Sequence, residues 1–460
     1  MDPITTAEVS IWDETIGAVS WLSDQGCAAF EYDPEFLRKA LELSPIHMSI
    51  GEANRGTVFS FPNIDQVTFW GLPGLLASCL PDLWGNQIID SWLRRNGREP
   101  QSFNPVERLC YIGTRGMGAL EFRPQLSDRS LSKSVPVEIE NLMALAREVM
   151  AERLKLDANL SGTDTEKAEA MFDILRVGTS AGGAVPKAII AMDDQGHIIS
   201  GQSHNIPQDY THWILKFDGV SEEQPDKFRT PLESGRIEYA YYLMASQAGI
   251  NMEECHLLEE NGRAHFITKR FDRVNGRKIH MLTLAGMAHF GWNPPGVYGY
   301  EDAFAIMRQL RLTYPEQEQQ FRRMVFNAIT KNLDDHTKNI SYLMDADGVW
   351  KLSPAYDMTF SYSSIELFGD QHKMKINNKR KDFTGGDFLN VAKSMEINKP
   401  NKIIDQIIEA VTCWPDHAKK AGVNEKSMTI VEDMIFESST PVQRRLTKIR
   451  SDELKKRYNL

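Results

Sequence analysis

Three oxygen-bearing side chains in the C-terminal half of the sequence have the spacing that phosphoryl transfer requires. Asp334 and Asn339 lie five residues apart, and Asp357 follows after one largely apolar segment. In a kinase-type catalytic loop, an aspartate orients the attacking hydroxyl, while an asparagine five residues later and a further aspartate hold magnesium through hard oxygen ligands. The spacing therefore predicts that Asp334 is catalytic and that Asn339 and Asp357 bind the metal. The competing interpretation is a polar turn before a surface hairpin.

The residues between Asn339 and Asp357 have the pattern of a β-hairpin. Apolar and aromatic residues at 340–344 and 349–352 flank an Asp-Ala-Asp-Gly turn at 345–348. A turn of this kind between two apolar runs favours paired antiparallel strands. Such a hairpin would return Asp357 to the neighbourhood of the earlier loop, as a shared metal site needs.

A stretch of small residues from 178 to 190 is the second place where phosphate chemistry is indicated. Glycine and alanine let backbone N–H groups approach phosphate oxygens, and a following strand would anchor the loop. The stretch is neither a Walker A motif nor G-x-G-x-x-G, so the residues alone also allow an ordinary flexible turn. Further on, Lys216 interrupts the mostly apolar run 212–217, which is typical of either an edge-strand charge or a phosphate-binding lysine.

Several segments have apolar residues at helical spacing. The 3.6-residue period predicts helices over 236–249, 300–310, 316–332, 402–412 and 441–458. In the first of these, Glu238 is either the partner of a catalytic lysine or an exposed helical glutamate. Five lysines and arginines at 372–381 indicate a solvated loop or, alternatively, a docking patch for phosphate backbone or protein.

Length and composition limit the classes of protein that remain. The 460 residues are enough for two or three domains with real cores. The formal net charge of -11 argues against a general nucleic-acid binder. The five cysteines are never spaced C-x-x-C, which gives no zinc signature and fits a reducing compartment. With no leader and no apolar run of membrane-spanning length, the sequence predicts a cytoplasmic protein.

Two segments together, Asp334-Asp-His336-Thr-Lys338-Asn339 and Ser353-Pro-Ala-Tyr356-Asp357, resemble the HipA family of bacterial toxin kinases. Upstream, a G-x-L/V hairpin, an L-P-D before a helix and a G-A-L-x-F strand resemble the N-terminal subdomain of that family. The likeness covers most of the chain and implies an α+β, protein-kinase-like fold with two lobes. We expect a HipA-type N-terminal subdomain at 1–130, an ATP-binding N-lobe core at 131–275, and a helical C-lobe with the catalytic loop at 276–460.

The resemblance also implies ATP and Mg²⁺ as cofactors and assigns nucleotide contacts. His336 would shape the catalytic loop and contact nucleotide, although a lone histidine is more often a structural hydrogen bonder. Phe271 matches the hinge aromatic beside adenine, whereas many relatives have Glu at the position of Lys269. Ser180 matches a loop serine whose autophosphorylation switches such kinases off, with Thr179 as an adjacent competitor. The full set of expected contacts is Gly182, Gly183, Ala184, Val185, Pro186, Lys187, Lys216, Lys269, Arg270, Phe271, His336, Lys338, Asn339, Tyr356 and Asp357.

The function that the resemblance implies is a serine/threonine kinase that is the toxin of a type II toxin–antitoxin pair. Its partners would be a translation-related substrate such as an aminoacyl-tRNA synthetase and a cognate HipB-like DNA-binding antitoxin. DNA would be contacted only indirectly, through the antitoxin complex. Two other classes stay open: a small-molecule or lipid kinase, since D-x-H-x-x-N also resembles the phosphoinositide-kinase loop, and a catalytically silent subunit of an antitoxin–DNA complex.

Overall fold

The structure is a computed structural model that describes residues 3–81, 83–95, 97–124, 136–140, 142, 143, 146, 186–202, 206–219, 233–361 and 369–436. The chain forms two compact units, each assembled from separate stretches of sequence. The first unit comprises Met1–Gln224, Leu258–Gly291 and Tyr342–Val349. The second comprises Pro225–Leu257, Trp292–Ser341 and Trp350–Leu460.

The first unit begins with a five-stranded sheet. Its strands are β1 (Thr6–Ile11), β2 (Glu14–Leu22), β3 (Cys27–Tyr32), β4 (Phe59–Ser60) and β5 (Leu120–Arg123), in the order β4-β3-β2-β1-β5. Strands β2 and β3 pair antiparallel from Gly17 opposite Tyr32 to Leu22 opposite Cys27, which confirms the hairpin between them. Their turn ends at Gly26, whose φ of 62° lies in the left-handed region that glycine adopts without a Cβ clash.

Short helices surround this sheet and are fixed by their caps. At the start of the Pro105–Ile112 helix, the Asn104 side chain accepts hydrogen bonds from the Val106 and Glu107 N–H groups. The Glu107 side chain in turn accepts one from the Asn104 N–H. This reciprocal capping satisfies donors that the first helical turn leaves unpaired. Within the ranges that the structure describes, the helices with given bounds in the first unit are Pro34–Leu37, Ile50–Ala53, Gln66–Phe69, Gly74–Ala77, Leu83–Arg95, Pro105–Ile112 and Leu284–Ala288, with a 3₁₀ turn at Pro100–Ser102.

A second sheet has the order β7-β6-β8-β10-β9. Its strands are β6 (Lys187–Met192), β7 (Ile198–Ser200), β8 (Thr211–Lys216), β9 (Cys255–Glu260) and β10 (Arg263–Lys269). One face packs against an apolar core around Trp84, Ile190 and Leu215, which are fully buried. Three short strands follow, β11 (Arg273–Val274), β12 (Arg277–Lys278) and β13 (His280–Thr283).

The second unit is mainly helical, as the apolar period predicts. Four of the five predicted helices are found within about two or three residues of the expected bounds, and the fifth, at 441–458, lies outside the described residues. Among the described residues, no helix is both long and apolar enough to cross a membrane. The helices are Ser234–Gln247, Tyr300–Gln309, Tyr314–Thr330, Gly385–Ser394, Pro400–Thr412, Trp414–Lys420 and Glu425–Phe436.

The hairpin predicted to follow the Asp334–Asn339 segment is also present. Strands β14 (Ser341–Met344) and β15 (Trp350–Leu352) are separated by a turn in which the Gly348 N–H donates to the Asp345 carbonyl. Beyond the second strand, the Ser353 N–H donates to the Ser341 carbonyl over 2.9 Å. The chain therefore returns to the start of the hairpin just before Asp357.

Candidate functional site

The loop that carries Asp334 is set by the end of the long Tyr314–Thr330 helix. Lys331 takes a left-handed conformation there, with φ of 60°, and terminates the helix. A 3₁₀ turn at Thr337–Asn339 then leads into β14. The Asn339 Nδ2 donates to the Asp334 carbonyl over 2.8 Å, so these two predicted site residues do come together. The Asp334 side chain itself is 57% exposed and accessible to an acceptor.

Asp357 lies on the same cavity as Asn339, His336 and Tyr356. This cavity is open to solvent and lies within the second unit. Asp357 has φ of 52°, a left-handed backbone that aspartate tolerates better than most residues but that still indicates local strain. The Asn332 Nδ2 donates to its carbonyl over 3.2 Å and holds the backbone in place.

Tyr356 joins the segment after the hairpin to the catalytic loop. Its hydroxyl donates to the Lys338 carbonyl over 2.6 Å and lies 2.5 Å from the Ser341 Oγ. Tyr356 is also one of the residues that line the cavity. These contacts hold the residue next to Asp357 against the middle of the 3₁₀ turn and the first residue of β14.

His336 lies near Asp334, the predicted catalytic aspartate, and near an aromatic ring. Its Nε2 is 4.0 Å from the Asp334 Oδ2, and its ring lies 6.0 Å from that of Trp292. The buried Nδ1 has no hydrogen-bond partner in the part of the chain that the structure describes. His336 also lines the cavity that Asn339 and Asp357 line.

Asp335, the neighbour of the predicted catalytic residue, was not singled out from the sequence. Its carboxylate is completely buried, in contrast with that of Asp334. It accepts hydrogen bonds from the Tyr300 hydroxyl and the Lys373 N–H, at 2.9 and 2.8 Å, and contacts the His372 Nδ1 at 2.8 Å. The only sequence signal was the pair of adjacent aspartates, which by itself does not say which one is buried.

In the first unit, Lys187 and Lys216 occupy neighbouring strands and are directly opposed in register. Lys187 is only 4% exposed, and its carbonyl accepts a hydrogen bond from the Trp84 Nε1. Lys216 is half-buried, with its Nζ 5.8 Å from the centre of the Phe266 ring. Pro186 is described and accepts from the Phe217 N–H. The rest of the predicted phosphate loop, Thr179, Ser180, Gly182, Gly183, Ala184 and Val185, lies outside the described residues.

The predicted hinge segment Lys269–Phe271 follows strand β10. Arg270 is hydrogen-bonded within the protein: its Nε and Nη2 each donate to the Asp272 carboxylate over 2.8 Å, and its N–H donates to the His212 carbonyl. Arg273 donates to the same carboxylate, which also accepts from the Gly118 N–H. Burial alone would raise the pKa of Asp272, but the two guanidinium groups hold that pKa well below its usual range.

The structure also bears on two further interpretations from the sequence, through the burial of Glu238 and through ion pairs in the basic stretch. Glu238 is 7% exposed, so its interpretation as an exposed helical glutamate is wrong. In the basic stretch, Lys379 and Lys381 form ion pairs of 2.9 Å with Asp387 and Asp370. Two of the five basic side chains that suggested a docking patch are therefore paired with carboxylates of the same chain.

Comparison with known proteins gives a consistent result over most of the chain. A family model described as the HipA N-terminal domain matches residues 7–123, and one described as the HipA-like C-terminal domain matches residues 179–414. Among solved structures, the HipA, HipB and operator DNA complex of the Shewanella oneidensis MR-1 toxin–antitoxin system matches with a TM-score of 0.62 at 16% identity. That match covers 97% of this chain and 99% of the other.

A second solved structure, the Helicobacter pylori proinflammatory kinase CtkA, matches at 12% identity, covering 52% of this chain and 92% of that one. Its TM-score of 0.34 is too low to indicate a shared fold. The likeness to the Shewanella oneidensis structure, in contrast, confirms the expected mixed α and β fold of HipA type. Since the C-terminal family model alone spans more than half of the sequence, this chain belongs to the HipA family.

Proposed function

We propose that this protein is a MgATP-dependent serine/threonine protein kinase and the toxin component of a toxin–antitoxin system. The observation that carries the proposal is the geometry around Asp334. The amide of Asn339 is bonded to the Asp334 carbonyl, and Asp357 lines the same cavity as Asn339. Membership of the HipA family supports the same function.

The chemistry of the donor set fits a magnesium ion. The Asn339 Nδ2 is used within the loop, which leaves its Oδ1 as the atom available to a metal. Asp357 supplies a carboxylate on the same cavity, and magnesium prefers oxygen ligands of these two kinds. When bound, magnesium would neutralise charge on the phosphates of ATP.

Asp334 has the role of orienting the acceptor hydroxyl. Its exposed carboxylate accepts the proton of a serine or threonine side chain as the hydroxyl oxygen bonds to the γ-phosphorus. The bond from that phosphorus to the bridging oxygen breaks, and ADP leaves. Catalysis then depends on positioning and on electrostatic stabilisation, without a covalent enzyme intermediate.

Residues of the first unit would bind the nucleotide. We assign phosphate contacts to Lys187 and Lys216, whose opposed side chains concentrate positive charge on one face of the sheet. Backbone N–H groups of Gly182, Gly183, Ala184 and Val185 would cover the phosphates, with Pro186 ending the loop. Lys269, Arg270 and Phe271 would form the adenine-side hinge, and His336, Lys338 and Tyr356 would complete the contacts. Ser180 is the proposed site of autophosphorylation.

The proposed partners follow from the family and from the similar structure, in which HipA is bound to HipB and operator DNA. We assign to this chain a cognate HipB-like antitoxin, with DNA contacted through that antitoxin. A translation-related protein such as an aminoacyl-tRNA synthetase would be the substrate.

The test is phosphoproteomic mass spectrometry of the purified chain after incubation with MgATP, with and without cell extract. The Asp334→Gln variant should lose phosphate transfer, whereas Asp347→Asn, on an exposed turn, should keep it. Phosphate on Ser180 or on a protein of the extract, in the wild type and the control only, would support the proposal.

Other outcomes of this experiment would favour a different function. Labelled lipids or metabolites without any labelled protein would indicate a small-molecule or lipid kinase. Binding to an antitoxin–operator complex with no turnover of MgATP would indicate a catalytically silent subunit. Unchanged transfer in Asp334→Gln would contradict the assigned role of Asp334.

A further inference from the structure

The buried carboxylate of Asp335 is the start of a closed ring of hydrogen bonds. The Tyr300 hydroxyl donates to it over 2.9 Å and accepts from the Asn327 Nδ2 over 3.0 Å. The Asn327 Oδ1 in turn accepts from the Asn332 Nδ2 over 3.0 Å. Asp335, Asn327 and Asn332 are all less than 10% exposed, so these bonds lie away from water.

The ring closes on the backbone of the proposed catalytic residue. The Asn332 Oδ1 accepts a hydrogen bond from the Ser361 Oγ over 3.3 Å. The Ser361 Oγ itself accepts one from the Asp334 N–H over 3.0 Å. Asp334 and Asp335 are consecutive, so the chain itself completes the circuit. From Asn332 a branch runs to Asp357, whose carbonyl accepts from the same Nδ2 over 3.2 Å.

Burial fixes the direction of the bond between Tyr300 and Asp335. Desolvation, and then the negative charge of Asp335, raise the pKa of Tyr300 far above its ordinary value. The hydroxyl therefore keeps its proton and donates a hydrogen bond to the carboxylate. A hydrogen bond to a buried charge is among the stronger ones, and the loss of its donor leaves the carboxylate short of a partner.

We propose that Asp335, Tyr300 and Asn332 are positioning residues that hold the backbone of Asp334 and the backbone of Asp357 in one fixed relationship. This inference rests on the proposed kinase function, in which Asp334 orients the acceptor and Asp357 binds magnesium. The three side chains line the same cavity as Asn339 and Asp357, and the hydrogen bonds described for them go to protein groups. They affect the rate of phosphate transfer because even a small displacement of the reacting groups lowers that rate strongly.

The test uses two substitutions at opposite sides of the ring, Tyr300→Phe and Ser361→Ala. Each removes one hydroxyl and retains the packing volume of the side chain or nearly so. The control is Tyr314→Phe, which removes a hydroxyl bonded only to the exposed Asn398 N–H among the described contacts. Melting temperature is measured for all variants, and rates of phosphate incorporation are measured at saturating and at varied MgATP.

We expect the maximal rate to fall about 10-fold to 100-fold in Tyr300→Phe, as the loss of a hydrogen bond to a charged group implies. The ATP concentration for half-maximal rate should change less than about threefold, and the Mg²⁺ concentration for half-maximal rate should rise, since the branch ends at Asp357. In the double variant, the maximal rate should fall by less than the product of the two single fold-decreases, because one broken hydrogen bond already opens the ring. Rates equal to the control, or a lower melting temperature with an unchanged maximal rate, would overturn the proposal.

A second readout does not depend on activity. The N–H groups of Asp334, Asn339 and Ser361 are all hydrogen-bonded, so their hydrogen exchange can be followed. In Tyr300→Phe, exchange should accelerate both at 334–339 and at 357–361, and neither should change in Tyr314→Phe. Acceleration at one segment alone would show that the two are not coupled. If the wild type transfers no phosphate while exchange responds as expected, the kinase proposal fails and the positioning network stands.

Discussion

Lys187 on β6 and Lys216 on β8 lie directly opposite each other on neighbouring antiparallel strands. Opposed residues of this kind point to the same face of the sheet, so the two side chains place positive charge close together. A nucleotide phosphate is the anion that the proposed function would bring to this face.

Replacement of Lys216 should weaken nucleotide binding. In Lys216→Met the Kd for ATP should rise about 10-fold to 100-fold, the value expected for the loss of a charge-assisted hydrogen bond. Isothermal titration calorimetry measures this directly. Lys393→Met, at an exposed position of the Gly385–Ser394 helix, is the matched control and should bind as the wild type does. Equal affinity in both variants would contradict the phosphate role of Lys216.

At Asp357, the charge of the side chain can be separated from its backbone conformation. Asparagine tolerates the left-handed φ of 52° nearly as well as aspartate, so Asp357→Asn should keep the wild-type melting temperature. Loss of the anionic ligand should lower the rate of phosphate transfer on the order of 100-fold and raise the Mg²⁺ requirement. A magnesium titration of activity checks both. A wild-type magnesium dependence would remove Asp357 from the metal site.

Asp272 should be a large contributor to stability. Removal of its charge in Asp272→Asn leaves two buried guanidinium groups, Arg270 and Arg273, without their anion, which costs about 3 to 5 kcal/mol. Urea denaturation at pH 7 measures the difference, with the exposed Asp194→Asn as control. Since the pKa of Asp272 is depressed in the folded state, its contribution is complete above the unfolded value of about 4 and declines as the pH falls below it. A difference that grows on acidification would be inconsistent with this ion pair.

His289 should make the protein sensitive to mild acid. The Gly74 N–H donates to its Nε2 over 3.0 Å, and burial, followed by the neighbouring His47, lowers the pKa of His289 to about 3. The unfolded chain binds this proton near pH 6.5, so stability should fall as the pH drops from 6.5 toward 3, by up to about 1.4 kcal/mol per unit. His289→Asn, which keeps an acceptor and tolerates the local backbone, should reduce that slope.

The control for that experiment is His256→Asn, at an exposed position. Thermal unfolding followed across the same pH range should give it the wild-type slope. The prediction is wrong if His289→Asn and His256→Asn depend on pH equally.

Local features of this protein followed from the sequence because their causes are local. The interval from Asp334 to Asn339, the turn at 345–348 and the helical apolar period each depend on residues a few positions apart. The structure contains the hairpin and, within the described residues, the predicted helices. The assignment of fold and family required in addition the resemblance of several such segments in order.

Only the tertiary structure distinguished residues that look alike in the sequence. Asp334 and Asp335 are adjacent aspartates, yet one side chain is 57% exposed and the other is completely buried. Tyr300 and Lys373 decide this, because they approach from 35 and 38 residues away along the chain. Burial and polar pairing depend on which distant segments pack together, and no short spacing encodes that choice.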